Sequence, residues 1–223
     1  QININFFTTT LIKGVIYMKV TKLALAIIGG CAISMSASAG GKVDKSVSNM
    51  TGADATMLSN TCAGCHGTDG ASSGPAIPSL GGMSALYITD MMNGYKSGDI
   101  KSTIMGRIAP GYSEDEIDAM ANYFAGTEQH RTPQAFDKAK AAKGMKLHDK
   151  YCEKCHSESG TLAEDDSGIL AGQPTPYLHY SMEDFANGDR SMPKKMKKKV
   201  KKLNKKEGSA GMEAILNYYA SQK

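Results

Sequence analysis

The sequence predicts an all-helical protein made of two tandem repeats, and three observations predict it. A Cys-x-x-Cys-His pentapeptide occurs twice, as Cys62-Ala63-Gly64-Cys65-His66 and as Cys152-Glu153-Lys154-Cys155-His156, 90 residues later. Each half ends in an amphipathic stretch with the same Asn-aromatic-aromatic triplet, Asn122-Tyr123-Phe124 and Asn217-Tyr218-Tyr219. No strand-like alternation surrounds either pentapeptide. The composition agrees: 223 residues, 41% hydrophobic, 22% charged and without Trp, which is the ordinary globular range and excludes wholesale disorder. A net charge of +4 does not by itself argue for nucleic acid. No apolar run reaches the roughly 18–20 residues of a membrane span. Five cysteines, four of them inside the two pentapeptides and one at Cys31, are the wrong inventory for a disulfide scaffold.

The chain opens as an address. From Met18 a basic start, an apolar stretch Leu23 to Met35 and the exit Ala37-Ser38-Ala39-Gly40 form a secretory signal pattern, with cleavage expected before Gly40 and residues 1–17 as an upstream extension. The alternative is lipoprotein processing before Cys31. On either reading the mature chain is exported to the periplasm. Domains are then expected at 41–131 and 132–223, joined near Thr127 to Pro133. Within the first, Asp54 to Thr61 can form a short helix ahead of the pentapeptide. A Pro-stiffened loop, Gly74 to Leu80, follows it. Ser113 then caps a closing helix to Phe124, with Glu116 completing a capping box. Within the second, Phe136 to Tyr151 is the entry helix, Gly168 to Pro174 the loop, and Met212 to Tyr219 the closing helix.

C-x-x-C-H is the attachment frame for c-type haem. Two thiols at this spacing reach both vinyl groups of one porphyrin, and the adjacent imidazole ligates the iron. A closed zinc site wants four ligands, and neither motif has a companion cluster. A thioredoxin-like pair wants a βαβ setting. Two covalently bound haems are therefore expected, on Cys62, Cys65 and His66 and on Cys152, Cys155 and His156. Each loop after a box is expected to offer a carbonyl to the ligand histidine's other ring N–H. A covalent haem also adds buried surface to cores that would be marginal at this size.

Thioether sulfur suits the sixth position of an electron-transfer haem. Met105 lies 39 residues after His66 and Met196 lies 40 after His156, with Met192 in Met192-Pro193 as the competitor of Met196. Met91, Met92 and Met120 are expected in packing. His130, His148 and His179 read as surface or structural residues. The halves differ in sign: residues 41–131 carry 6 basic and 10 acidic side chains, net −4, and residues 132–223 carry 17 and 12, net +5. Nine of those 17 are lysines between 194 and 206. That tract is either a solvated face or a surface that steers an acidic redox partner. It lacks the apolar face of a membrane-surface helix, so neither membrane nor nucleic acid is expected as a partner.

The two haem boxes, with Ser102-Thr103-Ile104-Met105-Gly106-Arg107, Gly168-Ile169-Leu170-Ala171-Gly172-Gln173-Pro174 and Gly188-Asp189-Arg190-Ser191-Met192-Pro193, make the chain resemble exported diheme class I cytochromes c of two fused domains. Within these it most resembles the cytochrome subunits of flavocytochrome c sulfide dehydrogenases. The resemblance implies an electron-transfer subunit with no substrate site of its own. An FAD-containing subunit would oxidise sulfide and reduce one haem, and a soluble cytochrome c or other acceptor would be reduced by the second. It carries the ligand roles to Cys62, Cys65, His66, Met105, Cys152, Cys155, His156 and Met196. A free diheme carrier donating to a terminal oxidase or reductase is the alternative. A peroxidase would need an open distal position, which a methionine in each half would fill.

Overall fold

The computed structural model describes residues 53–163 and 167–223. The leader pattern of residues 1–39, with Cys31, lies outside them. The helices form where local chemistry asks for them. Asp54 accepts the Met57 N–H at 2.8 Å and starts α1 (Ala55–Asn60), and the first box turns through the short α2 (Ala63–His66). Ser84 caps α3 (Ala85–Ser97). A brief turn, α4 (Met105–Ile108), leads to α5 (Glu114–Ala125). There both hydrogen bonds of the Ser113–Glu116 capping box form, and three acidic residues occupy the positive first turn.

Asp137 caps α6 (Lys138–Tyr151), so this helix begins two residues later than the sequence suggests, because the Asp137 carboxylate takes the Ala139 and Lys140 N–H groups. The turn α7 (Ser157–Gly160) follows the second box. Next come α8 (Thr175–Asn187), α9 (Lys194–Glu207) and α10 (Ser209–Ala220). The lysine tract is thus a helix of 14 residues. Lysine is a good helix former, and Met196, Val200 and Leu203 give the helix one apolar stripe, with Leu203 buried.

Packing is strongest between α10 and α6, and in the first half α5 packs on α1 and α3. The α6–α10 crossing is close enough to require Gly144: a Cβ there would sit 2.0 Å from the Ala214 carbonyl oxygen. Leu147, Leu178, Leu203, Ile215 and Tyr219 form one core. Leu58, Ile117 and Met120 form another, and Met83, Ile88, Ala121 and Phe124 a third that also takes in Ile169 from the second half. Met120 is in the core as expected, and Met92 packs half-buried beside it. Among the described residues no helix is long and apolar enough to cross a membrane.

The repeat extends to the backbone. Helices α3 and α8 are each 13 residues long, start at 85 and 175, and stop at left-handed Gly98 (φ 83°) and Gly188 (φ 82°), a conformation glycine adopts without steric cost. Leu80 N–H donates to Gly70 and Leu170 N–H to Gly160; Gly82 N–H donates to Phe124 and Gly172 N–H to Tyr219. The register is 90 residues through the box, loop and middle helix, and 95 at the closing helix.

Candidate haem sites

In the first site Cys62, the N-cap of α2, is half-buried, Cys65 is exposed, and His66 is 9% exposed. The Gly74–Leu80 loop does what its sequence suggests. Pro78 places its carbonyl oxygen 2.9 Å from His66 Nδ1. A carbonyl only accepts, so Nδ1 carries the proton and Nε2 keeps its lone pair for a metal. Burial pushes the imidazole below its ordinary pKa, against the Pro78 hydrogen bond, so the ring is held neutral, the form that ligates. Burial also raises the Cys62 thiol, which keeps it protonated and its sulfur neutral. Paired thiols beside an oriented neutral imidazole are the donor set of c-type haem, and the residues fit that group.

The second site repeats the placement of the two thiols and the histidine, with different chemistry around them. Cys152 is half-buried at the end of α6, Cys155 is exposed, and His156 is half-buried at the start of the α7 turn. Burial pushes the Cys152 thiol up to about 11, against its hydrogen bond with Tyr219. His148, expected to be a surface or structural residue, is fully buried and structural. Its Nε2 lies 2.5 Å from a Glu153 carboxylate oxygen and its Nδ1 2.9 Å from the Tyr219 hydroxyl. Since a carboxylate only accepts, Nε2 donates to Glu153, and Nδ1 shares a hydrogen bond with the Tyr219 hydroxyl.

Glu153, inside the haem box, also takes the N–H groups of Glu158 and Ser159. Those two residues are left-handed (φ 50° and 64°), a costly conformation outside glycine that the Glu153 contacts hold. Burial would raise the Glu153 carboxyl, but the hydrogen bonds from His148, Ser159 and Glu158 outweigh it and hold its pKa below the ordinary value. At the register of the repeat the same three places in the first half are Leu58, Ala63 and Phe124, all apolar. Tyr219 against Phe124 was visible in the paired triplets; the relay that uses its hydroxyl was not.

The methionines are placed as follows. Met105 begins α4 and is half-buried; Met196 lies in the first turn of α9, half-buried on its apolar stripe. The two lie 39 and 40 residues after their box histidines but do not share a local structure. Met192, in the loop before α9, lines a cleft of about 1490 Å³ together with Met182, Val200, Met212 and Leu216. Met91 Sδ lies 3.1 Å from the Arg190 guanidinium. His179 is exposed, 3.5 Å from Glu183, and His130 is half-buried.

Two residues the sequence did not single out stand between the halves. Arg190 reaches the Tyr87 hydroxyl at 3.3 Å and lies over the Phe185 ring at 4.6 Å. Gln173 is 2% exposed and bonds the backbone of Ser79, 94 positions away. Such long-range pairs leave no local pattern to find.

The cytochrome c family model matches residues 52–128. The chain is 44% identical over 88 residues to the cytochrome subunit of sulfide dehydrogenase from Chlorobaculum tepidum, a match spanning 40% of this chain and 79% of that protein. It is 29% identical over 141 residues to cytochrome c4 from Pseudomonas aeruginosa, spanning 58% of this chain and 68% of that one. In structure it is similar to reduced recombinant cytochrome c4 from Pseudomonas stutzeri, with a TM-score of 0.64 and 24% identity over 76% of this chain and 99% of that one, which shows a shared fold. With two C-x-x-C-H frames, an all-helical class I fold and these relatives, the chain belongs to the cytochrome c family and is a diheme electron-transfer cytochrome with covalently bound c-type haems.

Proposed function

We propose that this cytochrome is the haem subunit of a periplasmic sulfide dehydrogenase of the flavocytochrome c type. It would take electrons from an FAD-containing subunit and pass them to a soluble cytochrome c or another redox acceptor. The observation that carries the electron-transfer reading is the duplicated frame: each C-x-x-C-H box is followed at the same register by the same returning loop, and then by a closing helix that the loop bonds in the same way. The similarity to a sulfide dehydrogenase cytochrome subunit supports the choice of donor. The leader pattern of residues 18–39 supports the compartment.

On this reading residues 41–131 and 132–223 are two cytochrome domains. Cys62 and Cys65, and Cys152 and Cys155, would hold the haems through thioether bonds, with His66 and Met105, and His156 and Met196, as the residues that would ligate the iron. Haem supplies a reversible one-electron change at iron, and the chain tunes and orients it. Pro78 fixes the His66 ring, and the Glu153–His148–Tyr219 relay fixes the backbone around the second box. Arg190, with Tyr87 and Tyr177 around it, offers a cationic, hydrogen-bonding surface suited to haem carboxylates.

The test is purification from the native periplasm with flavin fluorescence and sulfide-dependent haem reduction measured on the same fractions. A co-eluting flavoprotein that reduces both haems on sulfide addition is expected. Haem-bearing fractions without flavin, inert to sulfide, would instead establish the free diheme carrier donating to an oxidase or reductase, which the similarity to cytochrome c4 favours.

A further inference from the structure

The peptide unit joining Pro78 to Ser79 is used at both ends. Its carbonyl oxygen takes the His66 Nδ1–H at 2.9 Å, and its N–H donates to Gln173 Oε1, also at 2.9 Å. Gln173 Nε2 in turn donates to the Ser79 carbonyl at 3.0 Å. The Ser79 N–H can only donate and its C=O only accept, so the orientation of the Gln173 amide is fixed by its partners. The clamp itself is buried: Ser79 is 1% exposed and Gln173 2%. The Gln173 backbone carbonyl is held by Gln134 Nε2 at 2.8 Å, so the clamp has its own support.

The other half matches this clamp at the N–H end, with a weaker acceptor. At the 90-residue register Ser79 corresponds to Ile169 and Gln173 to Met83. The Ile169 N–H meets Met83 Sδ at 3.2 Å. Each half therefore reaches across to the peptide N–H of the other's haem loop, one with an amide oxygen and one with a thioether sulfur, a poor acceptor. A peptide whose N–H is drawn to a strong acceptor becomes a better acceptor at its carbonyl, most of all in a low-dielectric site. A stronger pull on the Nδ1–H makes the imidazole a more basic iron ligand, which favours the oxidised metal.

We propose that Gln173 is a positioning residue for the first haem: through the Pro78–Ser79 peptide it strengthens the His66 ligand and lowers that haem's potential, so the second half of the chain sets the redox poise of the first. The proposal rests on His66 being an iron ligand. Its test uses the holoprotein with Gln173→Met, which installs the acceptor found at the matching position, and Met83→Leu as a control that removes the other cross-half bond at similar volume.

Haem content and the absorption spectrum come first; absence of haem on the first box would sink the ligand reading itself and is seen in the unaltered protein. With both haems present, the ferrous-to-ferric ratio of the first haem at fixed potential should rise about 2- to 10-fold in Gln173→Met, the scale of a tenth to a third of one hydrogen bond. The second haem should not move. The His66 Nδ1 proton resonance of the reduced protein should shift upfield as its hydrogen bond weakens. In Met83→Leu both first-haem readings should stay where they are. An unchanged first haem in Gln173→Met, or an equal shift in Met83→Leu, would overturn the proposal, the latter by showing general loosening between the halves.

Discussion

Glu153 occupies one of the two variable positions of its haem box and uses that position to tie down three other groups. Its carboxylate accepts from the fully buried His148 and from the N–H groups of two left-handed residues. Removing it leaves a buried imidazole N–H without an acceptor, at a cost of about 1–3 kcal/mol. Replacing His148 and Tyr219 together by Leu and Phe, the residues of the first half, removes donor and acceptor at once and should cost less. Thermal melts of Glu153→Ala and of the double variant should therefore rank in that order; the reverse would show that the relay contributes little. The pH dependence has a definite sign. A carboxyl held below its ordinary pKa in the folded chain stabilises it above the unfolded value, near 4.3, and that contribution is lost as pH falls through the lower folded value. The melting temperature of the wild type should drop more between about pH 5 and pH 3 than that of Glu153→Gln.

Helix α9 is where the two halves part company most. The lysines were legible as charge; the helix they form was not read from the sequence, and its stripe Met196, Val200, Leu203, turned inward, gives the tract the apolar face it was expected to lack. This placement bears on the second haem's sulfur ligand, since Met196 shares the stripe while Met192 sits in the loop before Pro193 and lines the cleft. With Met196 as ligand, Met196→Ala removes the thioether signature from one of the two haem spectra and Met192→Ala leaves both unchanged. The opposite pattern transfers the role to Met192.

What the sequence disclosed follows the range of the interaction. The Ser113–Glu116 box spans three residues and was visible as a pattern. The Pro78 carbonyl spans 12 and was visible because a Pro-rich loop near a ligand histidine has few other uses. Gln173 and Arg190 act over 94 and 103 positions and carry no local signature. His148 lacked a counterpart in the repeat and so read as surface or structural; it is buried, and its partners became clear only once α6 and α10 were packed together.

Across the whole molecule, the charge difference between the halves places an exposed cationic helix on one of them. Such a surface raises the encounter rate with an acidic partner and loses the effect as salt screens it beyond a Debye length of ~8 Å at physiological ionic strength. Electron-transfer rates to an acidic acceptor should fall steeply between low and high salt. Substituting Lys197, Lys198, Lys201 and Lys202 by Gln should flatten that slope while leaving the rate at high salt near the wild-type value. A salt profile identical in both proteins would reduce the tract to a solvated face.

The shift in register from 90 to 95 arises between the middle and closing helices. The second copy is five residues longer between Gly188 and Asn217, the stretch that holds α9, while the returning loop and the loop-to-closing-helix contact keep their hydrogen bonds on either side. The length change and the lysines thus share one segment, which sets the second half's outer surface apart while the loop after each box keeps its fold.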